Sequence, residues 1–171
     1  DVGFPLASVA KVAIMVTVMD RAVRAHRNLS AHEVALLEAT ITRSDNDAAS
    51  ALWRSLGGGG AVRTYLRSVG LPDFQPGSAD QWGDSRATAA EVALLLGKLA
   101  SGAILDAATR TLALVLLSDI DRSQRWGITT GLPTGDLLAF KNGWVQAEDG
   151  RWLLHSAGVV FPGRIALAYT V

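Results

Sequence analysis

From Ser8 to about His26 the chain reads as one helix that is apolar on nearly every face: Val9, Ala10, Val12, Ala13, Ile14, Met15, Val16, Val18 and Met19, turning basic only at its end. A surface helix keeps a polar stripe, and this one has none, so it is expected to lie buried at the centre of a domain. A length of 171 residues, 49% of them hydrophobic, suits one domain with a substantial core spanning 1–171. The longest apolar run, Val12 to Val18, is interrupted by Thr17 and stopped by Asp20 and Arg21. It falls far short of the roughly 20 residues of a membrane span.

The remaining elements follow from local signals. Ser30-Ala31-His32-Glu33 has capping-box spacing and opens a helix to about Ile41. Asp47 to Leu56 and Ala61 to Val69 read as two helices joined by Gly57 to Gly60 and closed by Gly70. No Lys-Ser or Lys-Thr follows the four glycines, so they are a helix connection rather than a phosphate cradle. Leu71 to Arg86, with Pro72, Pro76, Gly77 and Gly83, is the longest loop. Thr88 to Glu91 is a second capping box for a helix to about Leu99, and Asp106 caps another through Leu117.

The texture then changes to strand at Leu137 to Phe140, Trp152 to Phe161 and Arg164 to Val171, joined by turns at Gln146 to Gly150 and Pro162-Gly163. Helices first and a meander last give an α+β class: a helical cluster packed on a C-terminal antiparallel sheet, with the buried first helix beneath it. The last strand, Ile165 to Val171, is largely apolar with nothing later in the sequence to cover it.

Composition removes several chemistries. With no cysteine there is no disulfide, thiolate metal site or cysteine nucleophile. The 16 basic and 16 acidic residues are scattered, so no basic face argues for nucleic acid or an anionic membrane. A small neutral or zwitterionic substrate is allowed. His26, His32 and His155 lack metal-ligand spacing and are expected to be hydrogen-bonded or solvent-facing. Trp53, Trp126 and Trp152 are expected as core anchors, whereas Trp82 and Trp144 are placed to line a cleft.

Three polar nodes interrupt this plan: Ser8-Val9-Ala10-Lys11, Ser44-Asp45-Asn46 and Lys141-Asn142-Gly143. Ser8, at a helix start, has free N–H groups and the helix dipole to stabilise an oxyanion. Lys11 lies one turn on, within reach of the Ser8 hydroxyl, and burial would lower its pKa toward that of a general base. The plainer reading of the pair is an N-cap and a surface lysine, yet a lysine in so apolar a helix argues against it. Ser44 offers a second hydroxyl for proton relay and Asn46 an orienting amide, or else a polar turn that caps the next helix through Asn46. Asn142-Gly143 alone reads as a tight turn after a strand ending at Lys141.

Together these nodes resemble the signatures Ser-x-x-Lys, Ser-Asp-Asn and Lys-Thr-Gly of the serine β-lactamase and penicillin-binding protein superfamily, most of all the class A β-lactamase-like proteins. The resemblance implies Ser8 as nucleophile, Lys11 as its activator and Ser44 as proton shuttle. It implies Asn46 as a partner of substrate or Lys11, and Lys141 as carboxylate binder and assistant to Ser44. Ser8 and Trp144 N–H groups would form the oxyanion hole, with Asn142, Gly143 and Trp82 at the substrate. No metal or organic cofactor is implied, and the location implied is extracytoplasmic.

Three departures qualify the picture. Asn142 stands where the family has threonine, and bulky Trp144 follows, narrowing the pocket. Leu71 to Thr88 contains no glutamate to activate a deacylating water; Asp73, Asp80 and Asp84 are its carboxylates, expected to be solvated, with Asp80 and Asp84 the candidates for base work. The family's N-terminal helix and two strands and its C-terminal helix have no counterpart here. The expectation is therefore a fragment, a truncated product, or a chain whose Ile165 to Val171 strand is covered by a partner chain or a second copy. Function is expected to be acyl transfer or hydrolysis on β-lactam, peptide or ester substrates through acyl-Ser8, with poor deacylation. The alternative is a catalytically silent module that binds peptidoglycan-type ligands or a protein partner.

Overall fold

In the computed structural model, which describes residues 3–130, 137–161 and 165–170, the apolar helix is α1, Ala10–Arg24, and its residues are buried from Ala10 through Met19. Around it stand α2 (Ala31–Thr42), α3 (Asn46–Leu56), α4 (Gly59–Ser68) and α6 (Ala107–Ser118), with α5 (Ala89–Ser101) beyond. Burial of large side chains such as Ile14, Met15, Met19, Leu37, Ile41, Leu52 and Trp53 links these helices into one core. Each such side chain contributes about 1.5–3 kcal/mol when removed from water.

Local chemistry sets the boundaries. Both capping boxes are formed: Ser30 accepts from the Glu33 N–H and Thr88 from the Glu91 N–H, while each glutamate reaches back to its cap. Asp106 caps α6 as expected. Helix α3 is capped by Asp45, whose carboxylate accepts from the Ala48 N–H, and not by Asn46, which is its first helical residue and keeps its side chain free for other work. Gly57 closes α3 in the left-handed conformation, φ 89°, where a side chain would be strained. The next helix starts at Gly59, two residues earlier than its pattern suggests.

The C-terminal sheet has the order β3-β4-β5, with β3 Leu137–Gln146, β4 Trp152–Phe161 and β5 Ile165–Thr170, all antiparallel. Strand β3 runs well past Phe140, so Lys141-Asn142-Gly143 is strand, paired with Ala157, Ser156 and His155, and not a turn. The hairpin turn comes later, where the Ala147 N–H and Arg151 carbonyl close it. Val171 and the Pro162-Gly163-Arg164 turn lie outside the described residues.

The sheet rests chiefly on α5 and α6 rather than on α1, because α1 is already enclosed by helices; β3 and β4 reach it through the 3-10 turn Ala7–Val9. A further two-stranded ladder, β1 (Phe4–Pro5) with β2 (Arg86–Ala87), has no signal in the sequence pattern. It fastens the segment before Ser8 to the end of the long loop.

Candidate active site

Ser8 lies in the 3-10 turn Ala7–Val9, one step before α1, and the turn is held at both ends. The Leu6 N–H donates to the Ser85 carbonyl (2.8 Å) and the Val9 N–H to the Leu6 carbonyl (3.0 Å). Ala7 has φ 47° and Ser44 φ 56°, two non-glycine residues in the sparsely populated left-handed region, one on each side of the site.

Lys11 joins the first two motifs. Its Nζ lies 3.2 Å from Ser8 Oγ, 2.9 Å from Ser44 Oγ, 2.8 Å from Asn46 Oδ1 and 2.5 Å from the Ser44 carbonyl oxygen. The Trp82 ring sits 4.8 Å from the same nitrogen, and Trp82 is fixed by its indole N–H on Ser50 Oγ (3.0 Å). Lys11 is completely buried, and burial lowers its pKa to about 8, against a partly opposing pull from the Asp45 carboxylate.

The partner set suits both protonation states. The Ser44 carbonyl and Asn46 Oδ1 are acceptors and take two N–H bonds, which a neutral amine can supply. Its lone pair is then left for a hydroxyl hydrogen, and the two hydroxyls in reach are those of Ser8 and Ser44.

Lys141 is also fully buried. Burial, and then repulsion from Lys11, bring its pKa down to about 7. Its ammonium donates to the Asn142 carbonyl (3.0 Å) and to Gln124 Oε1 (3.3 Å); among the described residues no hydrogen bond joins it to Ser44. No carboxylate stands within ion-pair distance of Lys11 or Lys141 among these residues.

Gly143 explains how close the strand comes to the nucleophile. A Cβ at this position would sit 2.9 Å from the backbone nitrogens of Ser8 and Val9 and 3.0 Å from the Leu6 oxygen. Asn142 is different from what the motif suggests. Its amide hydrogens go to the Gln124 and Trp126 carbonyls (2.9 Å each) and its oxygen accepts from Ser156 Oγ (2.6 Å). The side chain is buried, with both donors committed, so it secures the segment after α6 and leaves no N–H for substrate.

An open cleft of about 170 Å³ is lined by Ser8, Asn46, Trp82, Asp84, Trp144 and their neighbours. A larger hollow of about 640 Å³, between α1, α3 and α4, contains none of the motif residues. Of the loop carboxylates, Asp84 is at the cleft, whereas Asp80 pairs with Arg54 (3.3 Å) on the surface. Glu91 is occupied by the Thr88 and Asp73 N–H groups.

Several side chains depart from expectation. Trp53 is a core anchor, with its indole on the Ala79 carbonyl, but Trp126 is only half-buried and Trp152 is 57% exposed, because it lies on the outer face of the β3–β4 hairpin. His155 is not solvent-facing: it is buried beside Phe4, ring centroids 5.0 Å apart, with the Pro5 backbone at hand but no hydrogen bond of regular geometry to either ring nitrogen among the described residues. Burial lowers its pKa. Gln124 and Ser156 join the site's surroundings with no motif to announce them, whereas Asp84 at the cleft is one of the two loop carboxylates expected as candidates. His26 and His32 are exposed, and no metal-ligand cluster occurs among the described residues.

The sequence profile described as "Beta-lactamase enzyme family" matches residues 34–171. A chain from Mycobacterium tuberculosis named "Putative lipoprotein LppW" is 28% identical over 167 residues, covering 92% of this chain and 52% of that one. A "Beta-lactamase" of Streptomyces fradiae is 36% identical over 120 residues, 63% of this chain and 38% of its own length. The chain thus spans about half the length, or less, of these curated relatives. Among solved structures, a class A beta-lactamase from Bacteroides cellulosilyticus superimposes with a TM-score of 0.82 at 18% identity, over 98% of this chain and 74% of that one. That likeness speaks to the fold.

Proposed function

The chain belongs to the beta-lactamase enzyme family, and from that premise we propose that it is an active-site-serine acyltransferase or hydrolase working through an acyl-Ser8 intermediate. The observation that carries this reading is the buried Lys11 amine, within hydrogen-bond reach of Ser8 Oγ and Ser44 Oγ and, among the described residues, with no carboxylate at ion-pair distance. A pKa of about 8 leaves roughly one Lys11 in ten neutral at pH 7, enough for a general base near its working range.

In the forward step Ser8 Oγ attacks the substrate carbonyl carbon and its proton passes to Lys11. The negative charge on the carbonyl oxygen is stabilised by the N–H groups of Ser8 and Trp144. The proton returns through Ser44 Oγ to the leaving nitrogen or oxygen as the carbonyl reforms, which leaves the acyl group on Ser8. Protonated Lys141 attracts a substrate carboxylate, and Trp82 and Trp144 border the substrate.

Deacylation is the weak step. The loop before α5 has no glutamate, Glu91 is engaged in its capping box, and among the described residues Asp84 is the carboxylate at the cleft. We therefore assign the chain to the penicillin-binding type of behaviour, with a long-lived acyl-enzyme, and place it outside the cytoplasm by analogy with its relatives. No helix among the described residues is long and apolar enough to cross a membrane.

Incubation with a fluorescent penicillin tests the reading. A Ser8-dependent adduct that persists, with little turnover of a chromogenic cephalosporin, is expected. If wild type and Ser8→Ala label equally or not at all, and nitrophenyl esters are not turned over, the fold is being used as a silent binding module.

A further inference from the structure

The segment that follows α6 belongs to none of the three motifs, yet it is tied to two of them. The Asp121 N–H donates to the Thr42 carbonyl (2.9 Å) and Gln124 Nε2 to the Arg43 carbonyl (2.8 Å), so this turn is fastened to the two residues before Ser44. On its other side Gln124 Oε1 accepts from Lys141 Nζ (3.3 Å), and the Gln124 carbonyl accepts from Asn142 Nδ2 (2.9 Å). The Gln124 side chain is buried. One amide therefore spans the gap between the Ser44 connection and β3.

An uncharged amide suits this place on two counts. It donates and accepts at once, which neither a carboxylate nor an apolar side chain does. It also gives Lys141 a partner without a counter-charge. Among the described residues the charge that acts on Lys141 is that of Lys11 from α1, which repels it; Arg43 and Asp45 flank Ser44 in the chain, and Asp121, Arg122 and Arg125 belong to the turn that carries Gln124. Asp45 is engaged with the Ala48 N–H and Asp121 with Ser123, and neither is within ion-pair distance of Lys141.

We propose that Gln124 is a positioning residue of the acyl-transfer site: a neutral clamp that sets Lys141 at a fixed distance from the Ser44 connection and keeps negative charge away from the Lys141 ammonium. The proposal builds on the acyl-Ser8 reading. In the catalytic cycle the clamp leaves the Lys141 charge available to a substrate carboxylate, instead of neutralising it within the protein.

The test compares wild type, Gln124→Glu and Gln124→Met in three measurements: the rate of Ser8 labelling by a fluorescent penicillin from pH 5 to 10, the titration of the Lys141 side-chain NMR signal (assigned with Lys141→Arg), and the melting temperature. Gln124→Glu is expected to raise the Lys141 titration midpoint by at least one pH unit and to carry the descending limb of the labelling profile with it. Gln124→Met, which cannot bond either neighbour, is expected to slow labelling at least tenfold while the protein remains folded. A Lys141 midpoint that does not move in Gln124→Glu, or wild-type labelling by folded Gln124→Met, overturns the clamp. If Lys141 titration moves while wild type never labels, the clamp stands and the acyl-transfer reading falls.

Discussion

Replacing Gly143 by alanine tests how tightly β3 is seated against the nucleophile. The added Cβ would lie 2.9 Å from the Ser8 and Val9 nitrogens and 3.0 Å from the Leu6 oxygen, where ordinary contacts begin at 3.4 Å. Because Gly143 does not have a positive φ, its backbone accepts alanine and the whole effect is steric. Neither wall gives way freely: the turn is tied through Leu6 to Ser85, and β3 is paired with β4 along its length. A displacement of about 0.5 Å must be absorbed between them. On the scale at which a 1 Å misplacement costs about 10²-fold, this predicts roughly a tenfold slower acylation of Ser8. Overpacking adds a stability loss of about 1–3 kcal/mol, or a melting temperature lower by roughly 2–10 °C. The assay is the second-order rate of labelling by a fluorescent penicillin, alongside a thermal melt. Gly60→Ala is the control, because open space surrounds a Cβ in that turn of α4, and it should keep the labelling rate and gain about 0.5–1 kcal/mol. If Gly143→Ala labels and melts like wild type, β3 is not packed against the Ser8 turn and the close approach of Gly143 to Ser8 is refuted.

Two further outcomes follow from the buried lysines. If acylation needs neutral Lys11 (pKa about 8) and charged Lys141 (pKa about 7), the labelling rate is bell-shaped with a maximum near pH 7.5, where about one molecule in twenty holds both states; a profile still rising past pH 9 would exclude a cationic role for Lys141. Lys141→Met should stabilise the protein while weakening substrate capture. The folded pKa of Lys141 lies below its ordinary 10.5, so the unfolded chain binds more protons between pH 7 and 10.5, and stability rises with pH across that window. Methionine removes the penalty, giving about 1–4 kcal/mol in urea unfolding at pH 7 that shrinks toward zero by pH 10.5; a less stable variant at pH 7 contradicts this.

Where the fold could be read in the sequence, the signals were local and strong. The all-apolar stretch of α1 admits one location, and the Ser30 and Thr88 capping boxes mark helix starts by hydrogen bonds made within four residues. Short strands β1 and β2 were invisible because each is two residues long and exists only through a partner about 80 positions away. The extension of β3 through Gly143 was hidden by Asn-Gly, a dipeptide with turn chemistry that tertiary pairing overrides. In the site, the Ser-x-x-Lys spacing puts Lys11 beside Ser8 by helix geometry alone. The role of Asn142 was not legible, because its neighbours Gln124, Trp126 and Ser156 carry no motif, and neither was the bridge from Lys141 through Gln124 to Arg43. Such links depend on where a loop is laid down after the helices pack.

Activation of Ser8 by Lys11 is the step on which acyl transfer in this chain depends. Intact mass spectrometry after incubation with benzylpenicillin, followed by peptide mapping, measures this directly in wild type, Ser8→Ala and Lys11→Met. A single added penicilloyl group is expected on the peptide that contains Ser8, absent in Ser8→Ala and formed at least a hundredfold more slowly in Lys11→Met. An adduct on another residue, or labelling of Lys11→Met at the wild-type rate, would contradict it.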